Sequence, residues 1–311
     1  MPKILVTGGA GFIASALASK LAEREENRIV IVDNLVTGAL AKLPSSSLEN
    51  VKFIRADVNE FSDISSVFYS YNFDFVFHYA ALVGVKRTLE NPVKVLDDVT
   101  GIRNIMNLSK STGVKRVYYS SSSEVYGEPV EFPQNEDTTP LNSRLPYAIV
   151  KNVGEAYLKA YHKEFGLDYT IFRFFNTYGP DQSSDFVISR FVDAAVQGQD
   201  ITINGDGSQT RTFCYIDDNV EATTNAFYNS RCVNDVVNIG SDAEISILDL
   251  AHLVVKVTGS SSKIIHLPRL EEGDMTRRKP DITKMKMLLR HPLLSLEEGL
   301  RRIAENKKAQ K

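Results

Sequence analysis

Lys3-Ile4-Leu5-Val6-Thr7-Gly8-Gly9-Ala10-Gly11-Phe12-Ile13-Ala14 carries the strongest architectural signal in the chain. A short apolar run, residues 4–7, passes through three glycines into the amphipathic residues 12–26, so a strand, a tight turn and a helix are expected in that order. Gly8 suits the turn. Gly11 lets the backbone approach a pyrophosphate, whose charge the N–H groups at the helix start, around Phe12 and Ile13, can bind. Ala14 stands at the third glycine position, where a small residue serves helix–strand packing. Glycine-rich turns also occur for packing alone; the place of this one between strand and helix is what makes it a dinucleotide signal.

Working outward, residues 29–32, 51–55, 75–78, 117–121 and 169–174 read as further buried strands, with amphipathic stretches such as 12–26 and 93–111 between them. That rhythm predicts an α/β fold, a doubly wound parallel sheet with helices on both faces. The second strand ends in Asp33-Asn34, about 20 residues past the glycines, where an acid accepts the adenosine ribose hydroxyls. A carboxylate there repels the extra phosphate of NADP, so NAD is the expected cofactor. Asp57-Val58 closes the third strand, placed for the adenine edge. After Asn176 the rhythm changes to Gly-, Asp- and Ser-rich loops, which predicts a smaller C-terminal substrate lobe. The expected division is 1–175 plus about 212–242 for the dinucleotide domain, including a returning strand at 236–239, and 176–211 plus 243–311 for the lobe. Residues 306–311 are expected to be a frayed polar tail.

The composition fits a globular enzyme: 311 residues, 43% apolar and 24% charged. A net charge of −3 argues against a nucleic-acid surface. Five scattered histidines and two cysteines, Cys214 and Cys232, argue against a zinc site and a disulfide framework, so no metal and a reducing cytoplasm are expected. No run approaches the roughly 18 apolar residues of a membrane span, and no signal peptide is expected.

Tyr147-Ala148-Ile149-Val150-Lys151 places a tyrosine and a lysine one helical turn apart. A free tyrosine, with a pKa near 10, is a poor base at neutral pH. A neighbouring ammonium and a cationic nicotinamide ring would both stabilise its phenolate. Such spacing also arises by chance. Here it follows Ser120-Ser121-Ser122-Ser123-Glu124-Val125-Tyr126-Gly127, where a serine hydroxyl can orient the substrate hydroxyl being deprotonated.

With these motifs in place, the sequence resembles the extended short-chain dehydrogenase/reductase family, in its NAD-dependent nucleotide-sugar epimerase/dehydratase/decarboxylase branch. Residues 7–14, Asp33-Asn34, His78-Tyr79-Ala80-Ala81, 120–127, 147–151, 173–180 and 205–211 follow the order of that family. The resemblance implies a Rossmann fold and a tightly held NAD, with Ala80 and Ala81 beside it. It implies Tyr147 as base, Ser122 as its partner, Lys151 as cofactor anchor, and Ser123, Asn176 and Arg211 as substrate contacts. Arg278, with Arg277, would form a second diphosphate clamp, with a solvated basic turn as the alternative reading. A homodimer through the helices around 93–111 and 147–164 is also implied.

The branch shares one scheme. Tyr147 takes the proton of the sugar C4 hydroxyl, and the C4 hydride passes to NAD and later returns. Ser123-Glu124 and Arg278-Lys279-Pro280-Asp281-Ile282 resemble UDP-glucuronate decarboxylases. Thr88, residues 142–146 and Glu272-Gly273-Asp274 depart from that pattern, and the last looks epimerase-like. Ser123 also replaces the aspartate that glucose 4,6-dehydratases use to expel water. Asp98 stands where the family usually has asparagine. The balance favours 4-epimerisation of a UDP-hexose-type substrate, as in UDP-glucose 4-epimerase. UDP-glucuronate decarboxylation is next, and a 4-dehydrogenase or dehydratase releasing a 4-keto sugar is third. Glu124 would be catalytic only in the last two.

Overall fold

A computed structural model describes residues 1–268 and 277–309. The chain divides into two compact units. The first comprises Met1–Gly127, Pro140–Phe174 and Val220–Val237. Its strands β1 (Lys3–Thr7), β2 (Arg28–Asp33), β3 (Val51–Arg55), β4 (Phe75–His78), β5 (Arg116–Ser122) and β6 (Asp168–Phe174) belong to one seven-stranded sheet. The order across it is β3-β2-β1-β4-β5-β6, with Asp235–Ile239 beyond β6 at the edge. From β3 to β6 every neighbouring pair is parallel.

Because the order reverses between β1 and β4, a crevice opens at their carboxyl ends, the usual ligand position in such sheets. Helices α1 (Phe12–Ala22), α2 (Phe61–Tyr71), α3 (Val85–Glu90), α4 (Pro92–Thr112) and α5 (Pro146–Phe165) link the strands. Leu5, Val30, Val76, Val117 and Ile171 from the strands pack with Ile64 and Phe68 of α2, Ile105 of α4, and Val150 and Leu158 of α5. Each such side chain contributes roughly 1.5–3 kcal/mol by leaving water. Helix α1 stops at Ala22, four residues short of the amphipathic stretch. The side chains of Asn27 and Asn50 donate to the Leu21 and Ala22 carbonyls at 2.7 and 3.0 Å and so end the helix.

The second unit comprises Glu128–Thr139, Phe175–Asn219 and Asn238–Lys311. It carries the helices Val187–Val196, Ile247–Thr258 and Leu296–Ala309. Short strands pair within it, including Thr210–Thr212 with Glu244–Ser246, antiparallel. Residues 128–139 fall here, whereas the sequence pattern grouped them with the dinucleotide domain. Their hydrogen bonds explain the difference. Gln134 N–H donates to the Lys279 carbonyl (2.7 Å), Asp281 N–H to the Gln134 carbonyl (2.8 Å) and Asn238 N–H to the Glu136 carboxylate (2.8 Å). The expected frayed tail is also different: the last helix runs on to Ala309, with Lys307 paired to Asp193 at 3.0 Å.

Candidate active site

The glycine turn is held from three sides. Gly8, at φ +68°, and Gly9 donate to the Val32 carbonyl (2.8 and 3.3 Å), and Gly11 N–H donates to the Gly8 carbonyl (2.9 Å). A Cβ at Gly8 would lie 2.7 Å from the Ala80 backbone, so β1 and β4 close on the turn only if this residue is glycine. Gly11 is the N-cap of α1; no side chain caps that end, and its first turn holds no acid. The amides entering α1 at Phe12 and Ile13 therefore face any incoming anion without a protein carboxylate competing for them.

Asp33 is buried at the end of β2, where Oδ2 accepts from Ala10 N–H (3.0 Å) and Oδ1 from Leu35 N–H (2.7 Å). Its carboxylate thus fastens the glycine turn to β2 and keeps lone pairs for ribose hydroxyls. Asn34 donates to Asp57 Oδ2 (2.8 Å), which places Asp57 and the buried Val58 next to Asn34 at the same end of the sheet. At the end of β4, Thr7 Oγ1 bonds His78 Nδ1 (2.8 Å) and accepts from Ala80 N–H (3.3 Å), with Ala81 following, half-buried. The uncapped helix end, the Cβ-free approach and the pinned carboxylate fit a dinucleotide.

The residues expected to do acid–base work sit on β5 and α5. Ser122 ends β5, and its hydroxyl accepts from Glu124 N–H (3.2 Å), opening the tight turn Ser123–Tyr126. Ser123 is buried and Glu124 half-buried. Gly127 closes the turn at φ +61°, where a Cβ would stand 2.0 Å from the Asn142 carbonyl. Pro146 starts α5, so Tyr147 lies in its first turn and Lys151 in the next. Lys151, 3% exposed, donates to the Ser120 carbonyl (2.6 Å) and hydroxyl (3.3 Å), with Nζ 5.8 Å from the Tyr147 ring centroid.

Burial pushes the Lys151 ammonium down to about 8, and the charge of Asp98 works the other way. That gives the aspartate in α4 a physical setting: it accepts from Leu82 N–H (2.8 Å), and burial raises its own pKa. His78, fully enclosed and facing the Lys151 charge, is pushed down to about 3 and stays neutral at physiological pH.

Of the expected substrate contacts, Ser123 lies in the first unit and Asn176, Arg211 and Arg278 in the second. Asn176, at φ +38°, donates to the Thr212 carbonyl (3.0 Å). Arg211, half-buried in mid-strand, donates to the Thr210 carbonyl (2.8 Å). Arg278 is buried. Arg277 differs from a waiting clamp: its guanidinium grips Glu244 with two bonds, 2.6 and 2.7 Å, and Lys279 adds a contact at 3.4 Å. The Arg277 hydrogen bond, against some burial, holds the Glu244 carboxyl down to about 2. Glu272-Gly273-Asp274 lie outside the described residues. Among the described residues, no helix is long and apolar enough to cross a membrane, and no group of three or more His, Cys, Asp or Glu could hold a metal ion.

The motif reading missed the groups that hold these residues in place. Thr7 and Ser120 orient His78 and Lys151. Glu155 and Arg173 form a buried pair beneath the β5 turn. Glu155 could have been found four residues past Lys151, the same step that links Tyr147 to Lys151.

A switch-point dinucleotide cradle followed by serine, tyrosine and lysine defines an NAD-dependent enzyme of the short-chain dehydrogenase type. The model of the NAD dependent epimerase/dehydratase family matches residues 4–240, and the chain belongs to that family. It is 38% identical to the UDP-N-acetyl-alpha-D-glucosaminuronate decarboxylase of Bacillus cytotoxicus, over 96% of this chain and 95% of that one. It is 37% identical to UDP-glucuronic acid decarboxylase 1 of Xenopus tropicalis, over 96% of this chain and 70% of that one. Among solved structures, a Thermotoga maritima UDP-glucose 4-epimerase with UDP-glucose superposes with a TM-score of 0.93, at 32% identity and 99% coverage of both chains.

Proposed function

We propose that this enzyme oxidises the C4 hydroxyl of a UDP-linked hexose and re-reduces the 4-keto sugar from its other face, a 4-epimerisation. The arrangement of Lys151 carries the reading: a buried ammonium bonded to Ser120 and next to the Tyr147 ring stabilises negative charge on the phenolate. Tyr147 takes the C4 hydroxyl proton, Ser122 orients that hydroxyl, and Lys151 holds the phenolate in register. Bound NAD would accept the C4 hydride and give it back. Gly8, Gly11, Phe12, Ile13, Asp33, Asn34, Asp57, Val58, Ala80 and Ala81 are the residues proposed to hold it. Asn176, Arg211 and Arg278 are proposed for the nucleotide diphosphate, with Arg211 and Arg278 as its cations. Arg277, already matched by Glu244, is left out of this set.

A second reading has two observations behind it: Ser123-Glu124 lies directly after Ser122, and two relatives carrying decarboxylase names are 37–38% identical. Here the substrate is a UDP-linked uronate that loses its C6 carboxylate at the 4-keto stage. Incubation with UDP-, dTDP-, GDP- and CDP-linked hexoses and uronates, read by proton NMR, decides. Inverted C4 supports the first reading and a pentose product the second. A free 4-keto sugar would replace both with a dehydrogenase or dehydratase.

A homodimer in the cytoplasm is part of this proposal. Val93 and Leu96 of α4 and Ile149 of α5 are exposed, an apolar set suited to a second copy. Cys214 and Cys232 form no disulfide, as suits a reducing compartment. Sedimentation at micromolar concentration should give twice the 34.7 kDa chain mass, and a monomer would exclude the dimer.

A further inference from the structure

Four side chains below the acid–base residues join into one buried assembly. Arg173 on β6 is 2% exposed and Glu155 on α5 is 1% exposed. Arg173 donates to both carboxylate oxygens of Glu155, from Nε at 2.9 Å and Nη2 at 2.7 Å. Ser121 on β5 donates its hydroxyl to Glu155 Oε1 at 2.6 Å. From Nη1, Arg173 donates to the Tyr126 hydroxyl at 2.8 Å, and its guanidinium carbon stands 4.8 Å from the centroid of that ring. Lys159, on the solvent side, reaches Glu155 at 3.9 Å. Burial opposes the Arg173 charge, but its bonds to Glu155 outweigh that and hold the guanidinium ionised.

Stability is a weak reason for such a group. Desolvating two charges costs about as much as their attraction returns, and apolar residues of the same volume often do as well. What the assembly does supply is position. Ser121 precedes Ser122, Tyr126 lies two residues past Glu124, and Glu155 lies one helical turn past Lys151. Ser121, Tyr126 and Glu155 are therefore each within four residues of Ser122 or Lys151, and Arg173 links them. In the turn Ser123–Tyr126, Glu124 N–H donates to Ser122 Oγ, Gly127 N–H to the Glu124 carbonyl, and the Ser143 hydroxyl to the Val125 carbonyl at 2.9 Å. The Tyr126–Arg173 bond ties it to the sheet.

We propose that Ser121, Tyr126, Glu155 and Arg173 form a positioning joint that fixes the β5 turn, with Ser122 and Glu124, against α5, with Tyr147 and Lys151. The joint touches no substrate. It sets the distance between the residue that orients the C4 hydroxyl and the residue that deprotonates it. It rests on the C4-oxidation reading above. A misplacement of about 1 Å can cost roughly 10²-fold in rate, so loosening the joint acts on the oxidation step while the groups proposed to bind NAD and the nucleotide stay unchanged.

Tyr126→Phe tests it by removing one hydroxyl and no charge. Two readouts are taken well below the thermal midpoint: the single-turnover rate of NADH formation with the sugar nucleotide that the wild type turns over, and amide hydrogen exchange. The joint predicts a rate at least about tenfold lower, KM within about twofold of wild type, and faster exchange at residues 123–127 than in α5. Glu155→Leu/Arg173→Met, which replaces the pair with apolar side chains, should stay folded and lose rate in the same way. A folded variant with wild-type rate, or one that loses rate without faster exchange in the turn, overturns the proposal. If the wild type oxidises no sugar nucleotide, the function proposed above falls. Exchange in the turn then decides the joint on its own: unchanged exchange overturns it, and faster exchange supports it.

Discussion

Tyr147 and Lys151 gain their meaning from what surrounds them. The lysine has given up water for Ser120, and burial pulls its proton affinity down to about 8. Tyr147→Phe should therefore cut sugar oxidation by about 10²-fold or more and leave the bound NAD content near that of the wild type. Both are read from NADH absorbance and from cofactor released on denaturation. Asp98 makes a sharper test. Its charge raises the Lys151 pKa, so Asp98→Asn should lower it further. The alkaline limb of the oxidation rate, where Lys151 loses its proton, should then move to lower pH while the neutral-pH rate changes little. An unmoved limb would exclude Asp98 from tuning the lysine. Glu124→Gln separates the two proposed reactions. Epimerisation needs no acid or base at C5 or C6, so the loss should stay below about tenfold, or 1.4 kcal/mol. A loss of at least about 10²-fold at unchanged thermal midpoint would point to lyase chemistry.

At the scale of elements, the first half of the sheet was legible because every strand there is a short apolar run ended by polar residues. The run at 75–78 is a strand at those bounds, and the one at 29–32 gains only Arg28 and Asp33. The acid–base turn was legible as a motif but not as a shape. Nothing local announces that Asn142 closes on Gly127, or that the run of serines at 120–123 divides into Ser120 for the lysine, Ser121 for Glu155 and Ser122 for the turn. Two of those contacts, Ser120 with Lys151 and Ser121 with Glu155, join residues more than 30 positions apart. Gly127→Ala tests the shape. Its positive φ and the close carbonyl together should cost about 1–3 kcal/mol, seen as a lower thermal midpoint and as lost oxidation, with NAD still bound. Alanine tolerated at full activity would mean that the turn does not require glycine.

For the whole molecule, the expected lobes differ from the observed units mainly where the chain makes excursions. Residues 128–139 bond to 238 and 279–281 through backbone groups, a pairing over more than 100 positions that no hydrophobic period encodes. The proposed cofactor cradle is the opposite case: Gly8, Gly11 and Asp33 lie within 26 residues, and their spacing alone suggests it. Since Asp33 already accepts two backbone N–H groups, the ribose site proposed for it would be pre-organised. The purified protein should accordingly release NAD on denaturation. Recovery of NADP would contradict the role given to Asp33.

The route of the chain has a consequence for its synthesis. The first unit is assembled from three stretches, the last ending at Val237, and the edge strand of its sheet is Asp235–Ile239. On the ribosome, β6 must wait with an unpaired edge until residue 239 of 311 has emerged. Such an edge is an open template for another chain. A nascent or truncated polypeptide ending before residue 235 should therefore aggregate, although it already contains the glycine turn, Ser122, Tyr147 and Lys151. Chaperone dependence should end abruptly once that strand is available.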